Sequence, residues 1–410
     1  MKKKLRILLV WIIVSSLFEV GLVALLNYKV QNMMGWTESE KNKESIVTAT
    51  IPSINIENIQ ISYDNSYIAY MEKGTLKIFN VKKDKVVFEK KSPFTVDKTL
   101  GILNYQWLPD RNVLVYFYAK NVKTVSETRV YTKKILDKYT QSETPNPSEA
   151  RNDNMPSTIE EPQITKKYID KPVIEWYSLE FQNSNEETAP KEIKNEFSGG
   201  SQDIPTGAKI DKIAVSPATN MTYFATSNAL NQKLFKITIM KKVSAIPNIE
   251  NISEMAVSDL YDTVYVKSKV GSAQQILAID NDSRAIITNN SDHTILGVRN
   301  GKVYIGEVKN DILTKIMTTQ DLKTLSANPR LETVWQGSIP FNKDTKKHIT
   351  ANGQIIVYAN QTAHIITDGK PTEVALGGET NYISEKGKVL NIIQLTKSDT
   401  STLVEIKPLK

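Results

Sequence analysis

Asp280 and Asp282, one residue apart in the string DNDSR, are the side chains of this 410-residue sequence best spaced to hold a metal ion. Paired carboxylates suit calcium, but a loop site needs more oxygen ligands and usually a glycine turn. The string joins two apolar runs, QQILAID and RAIITNN, so its expected role is to turn a hairpin, with calcium as the lesser reading. The three histidines, His293, His348 and His364, have no ligand spacing and are expected to make structural hydrogen bonds. The chain has no cysteine, which excludes disulfides, thiolate metal sites, a cysteine nucleophile and a lipid-modified N-terminal cysteine. GGSQD at 199–203 does not fit the G-x-S-x-G nucleophile elbow, and no H-E-x-x-H, P-loop or G-x-G-x-x-G occurs. The expectation is therefore a protein that is not an enzyme and uses no cofactor.

Trp107, Trp176 and Trp335 lie in or near strand patterns, where interior packing is expected rather than a stacking platform for sugars. Basic and aromatic residues do not interleave as they do in single-strand binders, so nucleic acid is not an expected partner. The net charge of +7 favours anionic surfaces such as phospholipid or acidic cell-wall polymer. Its lysines, however, come in short pairs (Lys82–Lys83, Lys133–Lys134, Lys241–Lys242, Lys346–Lys347), the pattern of solvated turns.

The elements that must position these residues repeat. ISYDNSYIAYM (61–71), YQWLPDRNVLVYFY (105–118) and IAVSPATNMTYFAT (213–226) each read as a short apolar strand, a polar turn and a second strand. Weaker copies begin at Met255, Ile295, His348 and Tyr382. Asn, Asp and Gly in the turns tolerate a tight reversal. A recurrence of about 40–45 residues with four short strands per unit is the signature of a propeller blade. Seven starts predict an all-β propeller of seven four-stranded blades, six or eight being the alternatives. The last copy supplies three strands, and ESIVTATIP (44–52) is expected to add the fourth and close the ring. One long gap is read as an insertion within the second blade. It is expected to be disordered over about 134–168, where prolines and polar residues crowd.

The blade starts resemble those of TolB-like and WD40-like (PD40) propellers, whose pattern approximates W-S-P-D-G-x-x-I-A-Y. The matching residues are Ser62, Asp64, Ile68, Ala69 and Tyr70 in the first copy, Trp107, Pro109 and Asp110 in the second, and Ser216, Pro217 and Ala225 in the third. These residues are expected to be structural. Relatives with this fold act as envelope scaffolds, peptidase propeller domains and sugar or peptide binders, so the resemblance implies a fold and leaves the role open.

Ahead of the repeats, MKKKLR (1–6) precedes an apolar run from Ile7 to Leu26 containing one charged residue. Twenty residues of helix span roughly 30 Å, the thickness of a bilayer core. Lys2, Lys3, Lys4 and Arg6 should stay cytoplasmic, which sends the remainder across the membrane. The run exceeds a signal-peptide core and lacks a convincing A-x-A site, so an uncleaved single-pass anchor is expected, followed by a polar stalk at 27–43 and the propeller at 44–410. Glu19 is the polar position of this helix, at a cost on the order of 2.5–3.5 kcal/mol if charged. It is read either as a contact with a second membrane helix or as a tolerated residue. Together these readings predict a membrane-anchored extracytoplasmic scaffold or sensor with an envelope protein partner. The alternatives are a propeller hydrolase or lactonase with a channel calcium site, or a glycan- or peptide-binding module.

Overall fold

Tight reversals in this chain fall where the sequence offers residues that tolerate left-handed backbone. Lys73–Gly74, Asn300–Gly301, Asn310–Asp311 and Asp368–Gly369 each have positive φ at both positions. That is the two-residue turn whose twist matches the strands it joins. The computed structural model describes Glu19 and residues 46–409, apart from 93–99, 136–157, 182–188, 199–203, 206, 229–231, 272, 281–282, 322, 324–327, 360 and 388. Of 124–135, 158–165 and 167–170 it describes the backbone alone.

The described residues form seven four-stranded antiparallel sheets, one per sequence repeat. The chain enters through β1 (Val47–Ile51) and then builds blade 1 from β2 (Glu57–Ile61), β3 (Tyr67–Glu72), β4 (Thr75–Asn80) and β5 (Lys85–Lys90). Blade 2 is β6 (Gly101–Trp107), β7 (Val113–Ile135), β8 (Thr158–Glu180) and β9 (Lys191–Asn195). Blade 3 is β10 (Lys209–Val215), β11 (Thr222–Ser227), β12 (Gln232–Ile237) and β13 (Val243–Ile246). Blade 4 is β14 (Glu254–Val257), β15 (Val264–Val270), β16 (Ala273–Asp280) and β17 (Ser283–Thr288). Blade 5 is β18 (His293–Arg299), β19 (Lys302–Lys309), β20 (Ile312–Gln320) and β21 (Glu332–Pro340). Blade 6 is β22 (Lys346–Ile349), β23 (Ile355–Tyr358), β24 (Thr362–Thr367) and β25 (Lys370–Ala375). Blade 7 is β26 (Thr380–Lys386), β27 (Val389–Lys397) and β28 (Thr402–Pro408), and β1 supplies its outer strand.

Alternation along the strands explains the packing. In β3, Ile68 and Tyr70 enter the core shared with blade 7, beside Ile393 and Leu395, while Tyr67 and Ala69 enter the core shared with blade 2, beside Tyr105 and Tyr116. Period-two alternation thus feeds two cores from one strand. The same division gives one hydrophobic core between each neighbouring pair of blades. Trp107, Trp176 and Trp335 are buried in three of them.

Closure follows the expected route. β1 pairs with β28 from Val47↔Ile406 to Ile51↔Thr402. Thr402 Oγ1 also donates to the Ser53 carbonyl at 2.7 Å. Joining the ends removes an exposed strand edge.

The second blade departs from the expected plan. β7 and β8 pair without interruption from Val113↔Glu180 to Ile135↔Thr158, so 158–168, read as part of an unstructured insertion, carries strand backbone. Residues 136–157 lie outside the described residues. Val, Thr, Tyr and Ile recur through VKTVSETRVYTKKI, and these residues favour extended backbone. β6 accompanies β7 only as far as Ala119, and β9 accompanies β8 only from Trp176 onward. Beyond those points β7 and β8 run on as a two-stranded arm, about 50 Å long at ~3.3 Å per residue. Pro162 and Pro172 both fall in this part, opposite Tyr131 and Asn121, where β8 has no β9 neighbour to receive an N–H.

Among the described residues no helix is long and apolar enough to cross a membrane. The expected span from Ile7 to Leu26 lies outside them except for Glu19, whose backbone is helical.

Candidate functional site

The first strand of each sheet (β2, β6, β10, β14, β18, β22 and β26) is its inner edge, and from β2 to β22 each first strand touches the next. Each is an edge strand, so its outward backbone groups need partners from elsewhere. Polar side chains supply them from blade to blade. Gln60 Nε2 donates to the Tyr105 carbonyl at 2.7 Å, and its Oε1 accepts from Trp107 N at 3.3 Å. Asn104 Nδ2 donates to the Ile210 carbonyl at 2.9 Å. Glu254 accepts from Thr294 Oγ1 at 2.7 Å and from Ile295 N at 2.6 Å. Lys347 Nζ donates to the Ile295 carbonyl, and Lys346 Nζ to the Asn381 carbonyl at 2.8 Å. Tyr358 Oη accepts from Ile383 N at 3.0 Å.

The Lys346–Lys347 pair is therefore strand, where the sequence pattern had indicated a solvated turn. Burial pushes the Lys346 ammonium down to about 8, and its charge lies 3.5 Å from the centroid of the Tyr382 ring. Lys347 is also pushed down, first by burial, against the opposing carboxylate of Glu254. A lysine is a costly way to satisfy a carbonyl, but its long stem reaches across a blade boundary.

One corner of the channel mouth is different. A cavity of about 660 Å³ opens there, lined by residues from all seven blades, apolar ones such as Ile61, Val257 and Ile383 alternating with polar ones such as Gln60, Gln106 and Ser384. Its arginine, histidine and carboxylate are Arg299, His348 and Glu385, from blades 5, 6 and 7. Arg299 Nη2 lies 3.7 Å and His348 Nε2 lies 4.0 Å from Glu385 Oε2, both too long for a hydrogen bond. Glu385 is held from below by Ala351 N, which donates to both carboxylate oxygens at 3.0 and 2.9 Å. Arg299 Nε and His348 Nε2 are buried atoms with no hydrogen-bond partner. Burial, reinforced by Arg299, pushes the imidazole down to about 4. His348 is thus neutral at neutral pH, and its approach to Glu385 is a dipolar contact, not an ion pair. β18 carries a register shift between Ile295 and Gly297, a device that re-aims the side chains after it.

The residues singled out in the sequence are dispersed. Asp280 ends β16, and its carboxyl is pushed up by burial and then by Asp262, with which it shares a hydrogen bond. Asp282 lies outside the described residues. Among the described residues no three His, Asp or Glu side chains gather to hold a metal ion. His293 is buried, with Nδ1 2.8 Å from Thr288 Oγ1 and Nε2 3.3 Å from Asn290 Nδ2. His364 lies on β24 with Nδ1 4.0 Å from Glu373 Oε2.

The blade-start residues build turns. Asp64 accepts from Ser62 Oγ at 3.1 Å and from Ser66 N at 2.9 Å, and Tyr67 N donates to Ser62 Oγ at 3.0 Å. Ser216 Oγ lies 3.1 Å from the Ser258 carbonyl and 3.0 Å from that of Tyr261, both in the next blade, and Pro217 follows it in the turn. Tyr70 and Trp107 are core residues. Pro109 lines the mouth cavity, and Asp110 Oδ1 lies 3.7 Å from Arg111 Nε. Sequence reasoning passed over Arg299 and Glu385. Each stands near the end of a first strand in a degenerate repeat, Arg299 closing β18 and Glu385 late in β26, with no local pattern to single it out.

No protein-family model matches the chain, and no curated protein matches it. Solved structures similar to it include the Dos1 propeller, at 8% identity over 85% of this chain and 78% of that one, with a TM-score of 0.46. The Myceliophteria thermophila Cps50 (Swd1) β-propeller domain is 10% identical over 88% of this chain and 98% of its own, with a TM-score of 0.47. A Pyrococcus horikoshii acylaminoacyl peptidase is 12% identical over 84% of this chain and 51% of that one, with a TM-score of 0.38. Likeness at these identities concerns the fold alone, and the seven-bladed ring rests on its own strand order.

Proposed function

We propose that this chain is a membrane-anchored extracytoplasmic propeller that scaffolds or senses within a cell-envelope complex, and that the β7–β8 arm is the element that meets its protein partner. The observation that carries the reading is the arm itself. It continues blade 2 well past the reach of β6 and β9, and no other strand among the described residues pairs with it there. A two-stranded ribbon with open edges is marginal alone but gains main-chain hydrogen bonds when a partner strand adds to it. The apolar run from Ile7 to Leu26 supports the anchor. The hydrolase or lactonase alternative needs several acidic groups around a channel calcium, whereas Glu385 is the one carboxylate of the mouth cavity.

The test is crosslinking and capture of the full-length protein from its native membrane, beside a variant in which 122–171 is replaced by a two-residue turn. The excision begins beyond the last β6 and β9 pairs, so the variant should melt as the parent does. It should lose a stoichiometric envelope partner. Equal capture by both proteins, or no partner for either, would sink the reading.

A further inference from the structure

Beyond any partner on the arm, we infer that the channel mouth is a binding site for a neutral, hydroxyl-bearing saccharide, held at the Arg299–His348–Glu385 corner. The cavity of about 660 Å³ is of a size that takes a small oligosaccharide, since ligand pockets span ~300–1,000 Å³. Its walls mix apolar and polar groups in nearly equal measure, and Arg299, His348 and Glu385 converge on it from consecutive blades. Such a mixed lining suits a ligand that carries both hydroxyls and apolar faces.

The corner differs from much of the channel, where Gln60, Asn104, Glu254, Lys346 and Lys347 stitch one inner strand to the next. At the mouth, Arg299 Nε and His348 Nε2 have no partner, and their contacts with Glu385 stop at 3.7 and 4.0 Å. The three groups are gathered without being locked. Arg299 Nε and His348 Nε2 are themselves closed to solvent, so an incoming group meets the remaining atoms of these side chains, which are 35% and 27% exposed.

Charge selects the class of ligand. Arg299 and Glu385 lie 3.7 Å apart, so neither offers an ion an unopposed partner. An anion drawn to the guanidinium meets the Glu385 carboxylate, and a cation drawn to Glu385 meets Arg299. A hydroxyl avoids both penalties because it accepts from the guanidinium and donates to the carboxylate. A second hydroxyl on the neighbouring ring carbon can do the same with the imidazole. The apolar faces of a sugar ring then lie on the wall. An extended peptide would need open inner-strand edges for its main chain. The backbone groups at Tyr105, Ile210, Ile295, Asn381 and Ile383 are already occupied by side chains.

The test uses the full-length protein in detergent, a panel of neutral di- and trisaccharides of glucose, galactose and N-acetylglucosamine, and saturation-transfer NMR followed by calorimetry. At least one panel member should bind. Arg299→Lys keeps the charge but loses Nε, and Glu385→Gln keeps the shape but loses the charge. Each should weaken binding by about tenfold or more, as loss of a hydrogen bond to a charged group does. Glu373→Gln, far out on blade 6, should change nothing. If the mouth variants misfold, the wild type still decides the matter through competition, since acetate, glucuronate and a short neutral peptide should all fail to displace the bound sugar. Absence of binding across the panel overturns the inference. So does binding that both mouth variants retain, or displacement by the anions or the peptide.

Discussion

His348 shows how a single side chain can couple this fold to acidity. Its folded pKa of about 4 lies below the ordinary 6.5, so between those values the unfolded chain binds the extra proton. Stability from this group is complete above pH 6.5 and is lost as pH falls towards 4. Denaturant titrations across that interval should therefore show a steadily falling midpoint, and His348→Asn should flatten that fall. A variant with the same acid slope as the parent would mean that the imidazole is not the group responsible. None of this was legible in the sequence, where His348 is one residue of a degenerate repeat. Its pKa depends on burial and on Arg299, a residue of another blade, and no local pattern reports such a neighbour.

Elements are where the sequence spoke most clearly, because turn chemistry is local. Asn300–Gly301 and the Ser62–Asp64–Ser66 cluster set their reversals within a few residues, and such signals placed all seven strand–turn–strand starts. The motif serine of the third start does more than turn its own chain. Ser216 is fully buried and binds two carbonyls of blade 4. Ser216→Ala leaves those carbonyls short of a donor at a cost of about 1–3 kcal/mol. A melting temperature lower by about 2–4 °C per kcal/mol is expected by calorimetry. An unchanged value would make the serine a turn residue only. The arm escaped the sequence reading for the opposite reason. Its second strand is proline-bearing and polar at 158–168, and only its register with β7 makes it a strand.

For the whole molecule, the ring closes through a clasp of its first and last described strands, β1 and β28. The apolar pattern of IVTATI ahead of the first repeat made this closure readable, since the last blade was one strand short. Thr50 and Leu403 are register partners in the clasp, and no native cysteine competes with an engineered pair. Thr50→Cys with Leu403→Cys should form one disulfide and stabilise the oxidised protein by about 2–4 kcal/mol. The readout is the difference in melting temperature with and without reductant. Equal melting in both states would show that the ring does not open at this seam before the blades unfold.

The clasp also sets a timetable. β1 leaves the ribosome as the first described strand of the propeller, but its partner β28 is the last of them. At ~5–20 residues per second, about 20–70 s separate the two. Throughout that interval a newborn chain carries an apolar strand with no mate, while six blades assemble beside it. A nascent ring of this design depends on something to keep that strand from pairing with a neighbour's, and crowded synthesis is where it is most exposed to error.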